Sequence, residues 1–272
     1  MAMTIRIIEA EASSGLSSSK LSEYVVNPYL GCEHGCKYCY AQRYFHSRSI
    51  LQQAWGEEVI VRRNIHDMVR RDTKIKKKGR VLLSSMTDCY QPSEAKHQLT
   101  RRVLECLLEE DFPLAVLTKS PLVLRDLDLL ARFSEAEITF SISSLDPDVF
   151  GAFEPKAPMP EARLGALRRI LNSGLKGGLF VAPHLPAKDS FNTQYAPIFK
   201  AAGDLGLSTI LMDTLNHAGL LRKGIMRTYV REYQAGLEAF RRMLASPSLY
   251  NEQLKKKAKS LGQSFGIRVV FV

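Results

Sequence analysis

The sequence predicts an α/β fold in which six strand–helix units form a parallel sheet, curled into a partial (β/α)6 barrel and followed by a helical C-terminal extension. Two observations carry the prediction. Short β-branched or apolar runs alternate with longer stretches whose apolar residues recur at three and four spacing, and the short runs are apolar enough to be buried on both faces. Right-handed crossovers between parallel strands either open out doubly wound or close toward a barrel, and six units close only part of one.

The elements follow in order. Residues 1–20 end in SSGLSSSK, a polar, serine-rich stretch that reads as a flexible arm. Strand-like runs cover residues 24–26, 80–83, 115–117, 138–142, 179–182 and 209–212. Helical stretches cover 64–78, 93–109, 121–133, 160–172 and 192–203, with Asn64, Ser93 and Asn192 as caps and Gly174 and Gly203 as stops. Past residue 221 the alternation gives way to helical stretches at 224–244 and 247–261 and a β-like tail at 267–272. The expected organisation is an arm at 1–20, a barrel at 21–220 and an extension at 221–272, with no internal repeat.

Composition bounds the function. At 272 residues and 45% hydrophobic content the chain hides roughly three quarters of its unfolded surface, so no metal is needed merely to hold it together. A metal site therefore invites a functional reading. Five cysteines, an odd number, combine with an N-terminus lacking a signal pattern and with no apolar run of membrane-spanning length; the expectation is a cytoplasmic protein with reduced thiols and no membrane association. The net charge of +10 is concentrated. Residues 62–80 hold nine basic and two acidic residues, and 255–259 hold four basic and none acidic. Such runs attract polyanions, nucleic acid among them, or form a solvated helix face.

The segment NPYLGCEHGCKYCYA at 27–41 gathers Cys32, Cys36 and Cys39 in one short loop after the first barrel strand, and Gly31 and Gly35 allow the turns this convergence needs. The loop alone admits two metals. Zinc would take His34 as a fourth ligand, whereas a four-iron cluster can be held by thiolates. A redox disulfide would leave one thiol over.

The cysteine spacing, with an aromatic before the last cysteine, resembles the cluster loop of radical S-adenosylmethionine (SAM) enzymes. More specifically, the chain resembles the spore photoproduct lyase-like family over roughly residues 24–186. The resemblance rests on NPYLGCEHGCKYCYA, LSSMTDCYQP (83–92), LTKSPLVLRDLDLL (117–130), FSISSLD (140–146), FEPKAPMPEARL (153–164) and FVAP (180–183). It implies a radical SAM partial barrel in which Cys32, Cys36 and Cys39 hold a single [4Fe–4S] cluster and leave one iron open to SAM. It further implies that Ser85, Thr87 and Asp88 meet the SAM amino group, Lys119 its carboxylate, and Ser141 or Ser143 its nucleoside end. Arg163 is assigned either to the SAM carboxylate or to a helix face, and His184 and Asp213 are weaker candidates.

In the lesion-repairing members a cysteine of the second-strand segment donates a hydrogen and tyrosines relay the radical. Tyr38 and Tyr40 match, but the donor position falls on Ser85 or Met86, so Cys89, placed by strand alternation on the face of Ser85 and Thr87, is the candidate displaced donor. Cys106 reads as core. The implied partners are a low-potential electron donor of the flavodoxin or ferredoxin kind and, through the basic runs, a nucleic acid; a small-metabolite substrate and a non-catalytic metal module are the rivals. One check is independent of resemblance: Cys32 to Cys39, Ser85 to Asp88, Lys119, Ser141, Ser143, His184 and Asp213 all follow strand ends, where parallel-barrel sites gather.

Overall fold

A computed structural model describes residues 5–215 and 218–272. Its strands are β1 (Arg6–Ala10), β2 (Ser17–Ser18), β3 (Tyr24–Val26), β4 (Tyr29–Leu30), β5 (Glu58–Arg62), β6 (Val81–Leu83), β7 (Leu114–Thr118), β8 (Ala136–Ser141), β9 (Lys176–Val181), β10 (Thr209–Met212) and β11 (Arg268–Phe271). The six expected strands, β3, β6, β7, β8, β9 and β10, stand side by side in that order and are parallel throughout. Two more extend the sheet: β11 joins β10 in parallel and β2 joins β3 antiparallel. The sheet is therefore open at β2 and β11, a partial barrel. The tail expected beyond the barrel is its last strand.

The helices are α1 (Ala41–Ser47), α2 (Ile65–Ile75), α3 (Pro92–His97), α4 (Leu99–Glu109), α5 (Leu127–Leu130), α6 (Pro147–Phe153), α7 (Pro160–Asn172), α8 (Ala196–Asp204), α9 (Ala218–Arg231), α10 (Leu237–Ala245) and α11 (Pro247–Ser264). Two stretches expected as continuous helices, 93–109 and 224–244, are broken, and α1 and α6 were not expected. The break between α3 and α4 falls at Gln98, at φ 51°, because the buried Glu94 carboxylate caps the new helix by accepting the Thr100 and Arg101 N–H groups at 2.9 and 3.3 Å. Likewise α9 ends before α10 because the Thr228 carbonyl accepts both the Glu232 and Tyr233 N–H groups, turning the chain.

The largest departure is the N-terminal arm. Residues 6–10, expected to be flexible, form β1, which pairs in parallel with β5, and β5 pairs antiparallel with β4 to make a second, three-stranded sheet. Two polar side chains on the segment around α2 hold the rest of the arm. Asn64 bonds both the N–H and the carbonyl of Ala12, and the buried Asp72 carboxylate accepts the N–H groups of Gly15 and Leu16 at 3.2 and 2.9 Å. Gly15 lies so close to α2 that a Cβ would come within 2.4 Å of the Val69 nitrogen. Burial alone would raise the Asp72 pKa, but Arg71, the Leu16 N–H and Lys76 together hold it below the ordinary value. Its stabilisation is accordingly present above the usual carboxylate range and is lost as pH falls through the depressed pKa.

Asp72→Ala leaves buried N–H donors unpaired and is expected to cost about 1–3 kcal/mol in denaturant unfolding. Amide exchange in residues 12–18 is expected to accelerate with it; unchanged protection there would contradict the anchoring role.

Candidate active site at the strand ends

A cavity of about 210 Å³ opens to solvent over the carboxyl ends of the barrel strands. Cys32, Cys36 and Cys39 all line it, supplied by the loop between β4 and α1. Gly31, at φ 85°, approaches the Glu58 carbonyl so closely that a Cβ would stand 2.4 Å from its oxygen, and Gly35 turns at φ 58°. All three thiols are free. Burial pushes Cys36 up to about 12 and Cys32 well above its ordinary value, and it also raises Cys39. Metal binding must therefore displace their protons.

Among the described residues no three His, Cys, Asp or Glu side chains already stand together as a metal-binding group, so the thiols share a wall rather than a finished coordination shell. Among the described residues, three polar atoms of that wall have no hydrogen-bond partner: His34 Nε2, Ser84 Oγ and Trp55 Nε1. Free thiols beside unsatisfied polar atoms are what a site built around a bound group would present. Ser84 and Trp55 were not anticipated. The only available signal was that Trp55 is the single tryptophan of the chain.

Of the expected residues, Tyr38, Tyr40, Ser85, Thr87, Asp88, Lys119, Ser141 and Asp213 line the cavity. The Ser85 turn is shaped by Asn27, whose side-chain oxygen accepts the Ser85 and Met86 N–H groups at 3.0 and 3.1 Å, and by the Tyr40 hydroxyl, which donates to the Ser85 carbonyl at 2.5 Å. Asp88 accepts from Thr118 Oγ1 at 2.7 Å and from the Lys119 N–H at 2.8 Å, tying β6 to β7. Lys119 Nζ donates to Ser141 Oγ at 3.1 Å and stands 5.7 Å from the Tyr38 ring centre. Burial would lower its pKa, but the negative charge on Glu154 raises it, so an ammonium faces the cavity.

Four expected residues do not reach the cavity. The strand alternation that would aim Cys89 at the site ends at Leu83, because Ser84 turns the chain at φ 72°, and Cys89 is buried in the main core. His184 is held between two hydroxyls, Tyr195 at Nδ1 and Tyr250 at Nε2, the latter at 2.8 Å, and burial lowers its pKa to about 3. Ser143 and Arg163 turn instead to a residue that was not singled out, Glu154 of the FEP signature. Its buried carboxylate accepts from Tyr38, from Ser143 Oγ at 2.8 Å and from Arg163 at 2.5 Å, while Arg163 also donates to the Ser141 carbonyl at 2.9 Å. Burial would raise Glu154; Arg163 and Lys119 outweigh it and hold the carboxyl at about 2.

The two basic runs differ. In 62–80, Arg63 pairs with Glu9 and Glu11, Arg70 with Glu109, Arg71 and Lys76 with Asp72, Lys78 with Asp111, and Arg80 with Glu135 and Glu137. Most of that charge is neutralised within the chain. Among the described residues, Lys255, Lys256, Lys257 and Lys259 form no ion pair. No helix among the described residues is long and apolar enough to cross a membrane.

Residues 26–189 match the profile of the Radical SAM superfamily, which covers more than half of the chain. The chain belongs to the radical SAM superfamily. It is 34% identical over 193 residues to an uncharacterized protein of Methanocaldococcus jannaschii, covering 70% of this chain and 71% of that one. An uncharacterized protein of Acidianus two-tailed virus is 30% identical over 219 residues, 76% of this chain and 72% of its own length. Among solved structures, spore photoproduct lyase complexed with dinucleoside spore photoproduct superimposes with a TM-score of 0.74 at 19% identity, covering 98% of this chain and 82% of that one. Streptococcus suis SuiB bound to S-adenosylmethionine gives 0.55 at 11% identity, over 99% of this chain and 50% of that one. At these identities the two likenesses show the fold. The chain is thus a radical SAM enzyme, and its cofactors are a [4Fe–4S] cluster and SAM. The superfamily decides between the metals that the loop left open.

Removing Arg163 strands a buried carboxylate. Arg163→Met is expected to lower the stability of the cluster-free chain by about 3–5 kcal/mol in urea unfolding, and Glu154→Gln in the same chain should restore part of it. A loss under ~1 kcal/mol would show that the pair does not hold the site together.

Proposed function

We propose that the chain reductively cleaves SAM at one [4Fe–4S] cluster held by Cys32, Cys36 and Cys39, and that hydrogen is then abstracted from a substrate of nucleic-acid or nucleobase character. The observation that carries this reading is the single cavity that three free thiols share with the Lys119 ammonium. When bound, the cluster supplies the electron that splits SAM into methionine and a 5′-deoxyadenosyl radical. The remaining tasks fall to this chain. Lys119 takes the SAM carboxylate by a charge-assisted hydrogen bond, released for it by Ser141. The Ser85–Thr87 segment meets the amino group, with Asn27 and Tyr40 fixing its shape. Tyr38, anchored through Glu154, forms a fixed wall beside the thiols. The apolar part of the wall, including Phe180 and Leu215, keeps competing hydrogen donors out.

No further pair of cysteines is available for a second cluster: Cys89 and Cys106 are both buried in the main core. An open cavity and an unpaired basic C-terminal run favour a large polyanionic substrate over a small metabolite. The reductant in this reading is a flavodoxin or ferredoxin, and five free thiols suit a cytoplasmic setting.

Anaerobic reconstitution tests the reading. The wild-type chain is expected to take up about four irons and, on reduction, to form 5′-deoxyadenosine from SAM; Cys36→Ala should lose both while its far-UV circular dichroism is unchanged. Formation of 5′-deoxyadenosine by Cys36→Ala would contradict the ligand assignment. Lys119→Ala should retain the cluster and weaken SAM binding about tenfold, the loss of roughly one charge-assisted bond. Equal SAM affinity would remove Lys119 from the site.

A further inference from the structure

A second concavity, of about 180 Å³, lies between the segment following β9 and the helices α10 and α11. Three cations line it from three separate elements: Lys188 from the segment, Arg242 from α10 and Lys257 from α11. The one acidic residue in its wall, Asp189, has its carboxylate turned to Asn192, whose backbone and side-chain N–H groups it accepts at 3.4 and 2.9 Å. Lys257 Nζ is held 5.5 Å from the Phe191 ring centre, so part of its wall is prearranged.

The surrounding charge is unusual within this molecule. Residues 222–268 contain eleven Lys and Arg against three Glu, and among the described residues none of these eleven cations is ion-paired. Residues 62–80, by contrast, pair most of their basic side chains with carboxylates of the chain. An unpaired excess around a concave pocket raises the local anion concentration.

We infer that this pocket is a phosphate subsite, in which Arg242, Lys188 and Lys257 hold one phosphate group of a substrate that extends from the strand-end cavity. The inference rests on the nucleic-acid reading above and gives it a location. Pro183 lines the first cavity and Ala187 the second, so the linking chain spans at most ~14 Å. A nucleic-acid strand, rising ~3.4 Å per nucleotide along a duplex axis and more when extended, covers that distance within a few nucleotides. A guanidinium with two ammonium groups suits a compact, multiply charged oxyanion, because Arg engages two oxygens at once and Lys adds point charges. The concave shape fits one such group better than the flat acidic face of an electron-donor protein.

The test uses the cluster-loaded full-length chain. Binding of a fluorescent single-stranded oligodeoxynucleotide is followed by anisotropy across a salt series, and inorganic phosphate serves as the second probe. Arg242→Ala and Lys257→Ala are each expected to weaken oligonucleotide binding roughly fivefold or more and to lower the salt slope by about one, while Lys74→Ala, outside the pocket, changes neither. Millimolar phosphate should compete with the oligonucleotide. Phosphate binding that both pocket variants lose, without oligonucleotide binding by any form, supports the subsite but assigns it to a phosphorylated small molecule and overturns the nucleic-acid reading. Equal oligonucleotide binding by wild type and both variants overturns the subsite and leaves that reading standing. Binding of neither probe overturns both.

Discussion

The buried Glu154 carboxylate is the interaction on which the geometry of the active site depends. It gathers Tyr38 from the cysteine loop, Ser143 from beyond β8 and Arg163 from α7, and its charge helps keep Lys119 an ammonium. A lone carboxylate at this depth would be strongly disfavoured. The surrounding donors and two cations reverse that, so the carboxyl is ionised and both of its oxygens accept hydrogen bonds. The arrangement fixes one wall of the cavity before any cofactor arrives, and it leaves the thiols as the part of the wall that changes on loading.

The barrel was legible because a strand buried on both faces is written as a continuous apolar run, and all six such runs became neighbouring parallel strands. What the sequence concealed was held by side chains acting across long separations. The N-terminal strand β1 has no strong apolar pattern, and its pairing with β5 is supported by Asn64 and Asp72 capturing backbone groups more than fifty residues away. The break at Gln98 similarly arises from Glu94, which no local propensity announces.

The site was legible at its centre and not at its margins. The cysteine loop, Lys119 and Ser141 sit immediately at strand ends, where barrel geometry leaves little freedom. Residues one or two positions further on, such as Cys89 and Ser143, depend on how the chain turns, and a single left-handed residue, Ser84, suffices to redirect Cys89 into the core. His184 is turned away from the cavity by two hydroxyl partners that lie 11 and 66 residues away in sequence. Charge was equally deceptive: the stronger basic run is largely internal scaffolding, whereas the weaker one belongs to an unpaired surface.

The account stands on a cluster with one iron left for SAM. The most direct measurement is electron–nuclear double resonance on the reduced, cluster-loaded chain with SAM labelled at its amino nitrogen and carboxylate oxygen. Hyperfine coupling of both labels to the cluster is the predicted result, and it should weaken for the carboxylate when Lys119 is replaced by Ala. A cluster signal indifferent to labelled SAM, in a chain that nonetheless binds it, would contradict the account.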